Sequence, residues 1–347
     1  MPLTTTLTEA LSLRVPVVQG GMQWVGVPQL VAAVCNAGGL GILTALTQPS
    51  PDALRSAIRE TKSLLRPEVL NRCQRYNLPF AVNITLLPSI NPPDYAGFAR
   101  AAIEEGVRIF ETAGNNPGPL IKELKKEGAY VLHKCTTIKH AISSQKMGVD
   151  CLSIDGWECA GHPGNQPLGG LVLLARASES LHLPYIASGG IANGQGLAAA
   201  LSLGACGVNM GTRFLATKEA VIHENVKNCM VGATELDTVH ILTSFKNTAR
   251  VYKNKVAEEV VRLESQGAAF PEVQPLVSGQ RGRRVYTEGD VEAGVWSASP
   301  VLGLIHDVPT CQELLDTMER DAEERIERMA GLVARKNGAG QKREARL

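Results

Sequence analysis

The sequence predicts an α/β protein folded as a closed (β/α)8 TIM barrel with an added helical subdomain after strand eight. Three observations predict it. Short β-rich runs and helical patterns alternate eight times by residue 210, the rhythm of parallel strands joined by crossover helices. The runs are continuous apolar stretches rather than polar–apolar alternations, as in strands covered on both faces. The last two strands run into glycine turns, where barrels of this class commonly hold a phosphate. Eight is the closed-barrel number, whereas open doubly wound sheets more often carry five or six strands.

The elements follow in order. VPVVQ at 15–19 is the first strand, and PQLVAAVCNA at 28–37 has helical spacing. Residues 41–44 form the second strand and 51–65 an amphipathic helix. FAVNIT at 80–85 is the third strand, 95–105 the next helix, and 108–111 the fourth strand. The helix at 120–127 places Lys122, Glu123, Lys125 and Lys126 on its wet face. Strand five is 130–134, followed by a helix at 138–147. Strand six, 150–154, leads to a helix at 169–181; strand seven, 184–188, to a helix at 194–203; and strand eight is 207–210. After residue 213 the pattern changes. Residues 219–265 read as mostly helical, 268–298 as loop-rich including GQRGRR at 279–284, and 311–334 as one long charged helix. The expected organisation is a barrel over 1–215, a mostly helical inserted subdomain over 216–310, a helix over 311–335 that returns to the barrel, and a disordered tail over 336–347.

Bulk properties agree. At 347 residues the chain suits one barrel with an insertion. Its 44% hydrophobic and 20% charged residues are those of a globular protein with a large core. A net charge of +1 gives no case for nucleic acid or a membrane surface. No apolar run reaches the length of a membrane span, and the N-terminus lacks the basic start and apolar core of a secretory signal. Eight scattered cysteines without a C-x-x-C pair point to a reducing compartment and against zinc. The basic tail ends in Ala345-Arg346-Leu347. Small–basic–leucine resembles a peroxisomal address, so peroxisome and cytoplasm are the two expected locations.

The strand ends carry the candidate chemistry. Ser188-Gly189-Gly190 follows strand seven and Gly211-Thr212 follows strand eight. Glycines let backbone N–H groups approach an oxyanion, and helix N-termini favour one. Sugar phosphates, pyridoxal phosphate and flavin mononucleotide all use such a site. Strand one ends in Gly21-Met22-Gln23, where small residues admit a planar ligand and Met22 offers a polarizable surface. Strand three ends at Thr85, and the loop beyond it contains Pro88 and Pro92, either a lid or a rigid connection. Strand five ends in Lys134, a candidate anion or cofactor ligand, with a Schiff-base lysine as the other chemical reading. His133 is expected on the opposite face of that strand. Strand six ends in GWECAGHPG, where Ala160 and Gly161 leave space beside His162. A histidine in such a loop is a candidate base. The other histidines fall in helices or connectors.

Together VVQGGMQWVG, LTALTQPSP, NITLLP, ETAGN, HKCT, SIDGWECAGHPG, IASGGIANGQGL, NMGTRFLAT, NTARV and LVSGQRGRRVY resemble the 2-nitropropane dioxygenase/nitronate monooxygenase family. They look most like its FMN-dependent NADH:quinone reductase subgroup. The resemblance covers the chain from about Val15 to Arg325 and departs from it in a longer segment at 61–77 and in the tail. It implies an FMN-binding barrel. Gly21, Met22, Gln23, Thr85, Lys134, Ala160, Gly161, Ser188, Gly189, Gly190, Gly211 and Thr212 would contact the flavin. His162 would be the active-site histidine, and Pro88 and Pro92 the lid. The expectation is therefore an oxidoreductase that passes hydride from NADH to FMN and electrons on to a quinone. The alternative is a nitronate monooxygenase using O2, with His162 as base; a non-catalytic flavin-binding protein is a third class. Expected partners are small molecules and a second copy in a homodimer, with no metal.

Overall fold

The computed structural model describes residues 3–86 and 92–333. Eight parallel strands close into a barrel in chain order: β1 (Val17–Gln19), β2 (Leu40–Thr44), β3 (Ala81–Leu86), β4 (Ile109–Gly114), β5 (Tyr130–Cys135), β6 (Cys151–Asp155), β7 (Tyr185–Ser188) and β8 (Val208–Met210). Closure comes from β1 against β8, with Val17 opposite Val208 and Gln19 opposite Met210. Helix α1 (Thr6–Leu11) precedes the barrel. Between the strands run α2 (Pro28–Asn36), α3 (Pro51–Leu64), the short α4 (Pro67–Leu70), α5 (Tyr95–Glu104), α6 (Gly118–Lys126), α7 (Ile138–Gln145), α8 (Gly170–Ser180) and α9 (Gly194–Ser202).

The barrel interior is built in layers. Its lower part is apolar, with Val18, Leu40, Ile42, Ile109, Leu132 and Ile186 packed together. Leu7 and Leu11 of α1 close that end, and a capping box between Thr5 and Thr8 starts the helix there. The longer segment at 61–77 packs at the same end through Cys73 and Tyr76, whose ring lies 5.6 Å from Tyr130. It therefore lies away from the strands' C-terminal ends, as expected of a segment outside the site. Above the apolar layer the inward side chains turn polar: Gln19, Asn83, Glu111, Ser153 and Asn209, all buried.

After β8 the chain makes the short α10 (Thr212–Leu215), then α11 (Glu224–Val231), β9 (Thr238–Ile241), β10 (Ala249–Tyr252), α12 (Lys255–Ser265), the short α13 (Phe270–Val273), α14 (Gly279–Glu288) and α15 (Cys311–Ala330). Two expectations are corrected here. Residues 219–265 are not mostly helical, because β9 and β10 form an antiparallel hairpin. Its alternating residues Ile241, Ala249 and Val251 pack on Ala257 and Val260 of α12. Each strand has only four residues, too few for the period-two signal to stand out between two helical patterns. The GQRGRR run is not loop but the first part of α14, started by the Ser278 cap. α15 packs against α9 and α2, the place of an eighth outer helix, so the segment between α10 and α15 is inserted before the ring closes. No helix among the described residues is long and apolar enough to cross a membrane. The tail with Ala345-Arg346-Leu347 lies outside the described residues.

Candidate functional site

The polar end of the barrel opens into a cavity of about 920 Å³. Gly21, Met22, Gln23, Thr85, Lys134, Ala160, Gly161, His162, Ser188, Gly189, Gly190, Gly211 and Thr212 all line it. Pro88 lies outside the described residues. Pro92 is exposed and does not line the cavity, whereas Pro93 does.

The floor is a buried carboxylate network. Glu111 accepts from the Gly21 amide at 3.0 Å, Asn83 Nδ2 at 2.7 Å and Asn209 Nδ2 at 3.0 Å. Hydrogen bonds to a charged group contribute about 1.5–3 kcal/mol each, so this network fixes the β1 turn. The Met22 amide donates to Thr44 Oγ1 at 2.9 Å. Glycine is required in that turn from below as well as above. A Cβ on Gly20 would collide with the Asn209 side chain, and one on Gly21 with Asn83.

Lys134 extends over this floor, its Nζ 3.7 Å from Asp155 Oδ2. Burial opposes the ammonium, but the Asp155 carboxylate, then Glu111, outweigh it and hold the Lys134 pKa above its ordinary value. Desolvation raises the Asp155 pKa against the opposing pull of Lys134 and of the Ser188 hydroxyl. The Ser188 hydroxyl is thus committed within the chain. Thr212 Oγ1 accepts from the Ser299 amide at 3.2 Å and keeps its own proton for donation. His133 bonds Thr112 on the neighbouring strand at 2.8 Å, away from Asp155.

The turns after β7 and β8 provide unsatisfied donors. None of the amides of Gly189, Gly190, Gly211 and Thr212 donates to an acceptor among the described residues. Gly189 and Gly190 have φ of +86° and +75°, and Cys159 packs against Gly189. All four residues line the cavity. His162 stands at the mouth on the loop after β6, beside Gly161 with φ +72°. Desolvation by surrounding protein lowers its pKa, although the ring keeps solvent access.

Several cavity residues had no distinguishing mark in the chain. Asn83, Glu111 and Asn209 are single polar positions inside apolar strands, which was the one available signal. Lys246, Asn247, Thr248, Tyr286 and Ser297 come from the inserted segment. Asp155 was read as the residue just past its strand. His140, placed in a helix without a role, also reaches the cavity wall. No group of three or more histidine, cysteine, aspartate or glutamate side chains suited to a metal occurs among the described residues.

The chain is similar to known proteins along most of its length. The family model described as nitronate monooxygenase matches residues 4–321. A (3aS,4S,5R,7aS)-5-hydroxy-7a-methyl-1-oxo-octahydro-1H-indene-4-carboxyl-CoA dehydrogenase of Rhodococcus jostii is 32% identical, covering 96% of this chain and 99% of that protein. A "Probable nitronate monooxygenase" of Staphylococcus aureus is 28% identical, over 88% of this chain and 94% of its own. The solved structure of FabK from Thermotoga maritima superposes with a TM-score of 0.86 at 32% identity, covering 95% of this chain and all of that one.

Proposed function

The chain belongs to the nitronate monooxygenase family, and from that premise we propose that it is an FMN-dependent oxidoreductase that oxidises a small carbon acid, with His162 as general base. One observation carries the reading: a cradle of unsatisfied amides shares its cavity with an imidazole held below its ordinary pKa.

The residues present fit a flavin mononucleotide. The amides of Gly189, Gly190, Gly211 and Thr212 would hold its phosphate. Lys134, kept charged by Asp155, would face the pyrimidine end, and the small residues Gly21, Ala160 and Gly161 would give the ring its space. When bound, the flavin supplies two-electron chemistry, accepting a hydride or returning one. The chain's own residues do the rest. Lys134 favours negative charge beside it. His162, neutral at pH 7, can take a proton from a carbon made acidic by its neighbour group. Nitroalkanes are such compounds, and so are acyl thioesters like the carboxyl-CoA compound in the name of the Rhodococcus relative. Glu111 holds the floor rigid, so the reacting groups keep their places.

The second reading is an NADH:quinone reductase. What favours it is space: a cavity of about 920 Å³ leaves room for a second ring beside a flavin. Hydride transfer from NADH needs no base, however, and leaves the neutral histidine without a task. Anaerobic mixing of the yellow holoenzyme with 1-nitropropane, a neutral carbon acid, and, separately, with NADH tests the two. Bleaching by the nitroalkane, slowed about 10²–10⁴-fold in His162→Ala, is the expected result. Bleaching by NADH that His162→Ala leaves unchanged would establish the reductase instead, and no bleaching by either would remove both.

A further inference from the structure

We propose that Arg250, in the inserted hairpin, is the positioning residue that holds His162 over the cavity. The proposal rests on the reading of His162 as the reacting base.

The loop from Gly156 to Asn165 is anchored at its start, where the Gly156 amide donates to the Ser188 carbonyl, the Trp157 amide to the Leu168 carbonyl and the Ser299 hydroxyl to the Glu158 carbonyl, but beyond Cys159 its hydrogen bonds among the described residues all come from the hairpin. It contains Gly156, Gly161, Pro163 and Gly164, and no helix or strand of its own. The β9–β10 hairpin supplies what is missing, at three points. Arg250 donates from Nε and Nη2 to the Trp157 carbonyl at 3.3 and 3.1 Å. Gly161 and Arg250 exchange both backbone bonds, at 3.0 and 2.6 Å. Asn165 accepts from the Thr248 hydroxyl at 2.8 Å and donates to the Lys246 carbonyl at 3.1 Å. His162 is therefore the residue immediately after a two-way bridge, in the middle of a clamped segment.

The side chain of Arg250 makes that bridge rigid. The residue is 9% exposed, and its remaining Nη1 donates to Thr238 Oγ1 at 2.9 Å on β9. One planar guanidinium thus spans the loop and both strands of the hairpin, and every acceptor it touches is neutral. A lysine has no fork with which to make that span. The Trp157 ring packs on His240, with ring centres 4.3 Å apart and the planes tilted by 36°, which seats the same carbonyl against β9. Arg250 does not line the cavity, so its effect on chemistry must pass through the loop. Nor does it touch Gly189, Gly190 or Gly211, and its bonds to Gly161 are main-chain bonds that a side-chain substitution keeps, so cofactor binding should depend little on its side chain. A displacement of about 1 Å in a catalytic group can cost on the order of 10²-fold in rate.

The test uses Arg250→Lys and Arg250→Met in the full-length holoenzyme, with Thr238→Val as a milder variant that removes only the third anchor. Three quantities are read: FMN affinity, anaerobic reduction by 1-nitropropane, and hydrogen exchange of the peptide covering residues 156–165. The expected result is FMN affinity within about twofold, kcat lower by about 10–100-fold with little change in KM, and faster exchange in that peptide alone. Thr238→Val should move in the same direction by less. Guanidinium added to Arg250→Ala should restore part of the rate. Unchanged exchange at 156–165, or unchanged kcat in variants that keep FMN, would overturn the proposal. If exchange rises but His162→Ala reacts as fast as the unchanged protein, the clamp stands and the role assigned to His162 fails. If the Arg250 variants do not fold, Thr238→Val decides by the same three readings.

Discussion

As the proposed base, His162 would set the pH behaviour of the site. Desolvation lowers its pKa, and a base works only when neutral. The acid limb of kcat/KM should therefore lie below the ordinary imidazole value of about 6.5, with the rate flat above it. A pH profile of nitroalkane-driven reduction measures this. A limb above 6.5, or a limb that persists in His162→Ala, would assign it to another group. Lys134 illustrates the opposite case at the same scale: burial pulls its pKa down, and Asp155, with Glu111, more than offsets that pull. The sequence points to Lys134 because it ends a strand and to His162 because it sits in the glycine-rich loop that follows one. It did not point to Asp155, whose partner Lys134 lies on a different strand.

At the scale of elements, the turn after β7 is tightly constrained. A Cβ on Gly189 would stand 2.6 Å from Cys159 Sγ and 2.8 Å from its amide nitrogen, at φ +86°. On Gly190 the nearest atom would be 3.4 Å away, at φ +75°. Left-handed backbone costs a side-chain-bearing residue roughly 1–2 kcal/mol at either position. Gly189 adds a collision with backbone, which cannot swing aside. Gly189→Ala should therefore weaken FMN binding and lower the urea midpoint more than Gly190→Ala, as measured by flavin-fluorescence titration and denaturation; the reverse order would reject the assignment. The glycines were legible in the chain as a pair after a strand. The hairpin was not, because two four-residue strands carry too little periodicity, and α14 was obscured by two glycines within GQRGRR.

For the whole molecule, acid is the expected weakness. His133 is buried and neutral, and desolvation lowers its pKa to about 4. The unfolded chain binds a proton at this position between about pH 6.5 and 4, and the folded chain does not. Stability from this group is therefore complete above pH 6.5 and is lost as pH falls towards 4. With 1.36 kcal/mol per pKa unit, the loss is about 3 kcal/mol at most. Urea midpoints measured from pH 7.5 to 4.5 should fall, and His133→Gln should fall less steeply than the unchanged protein. Equal slopes would place the acid sensitivity elsewhere. His240, also lowered to about 4 but partly exposed, adds less.

By itself the sequence determined the barrel, the order of its strands, the glycine turns and the two candidates Lys134 and His162. These are local signals, in which runs of apolar residues mark strands and glycine marks backbone that a side chain would obstruct. Only the tertiary structure decided what the strand ends meet. Asn209 and Glu111 are 98 residues apart in the chain and become partners only when β8 closes against β1. Arg250 follows the last barrel strand by 40 residues and still holds the loop before His162. Neither contact leaves a periodic trace, because a single buried polar residue is specified by its partner and not by its neighbours.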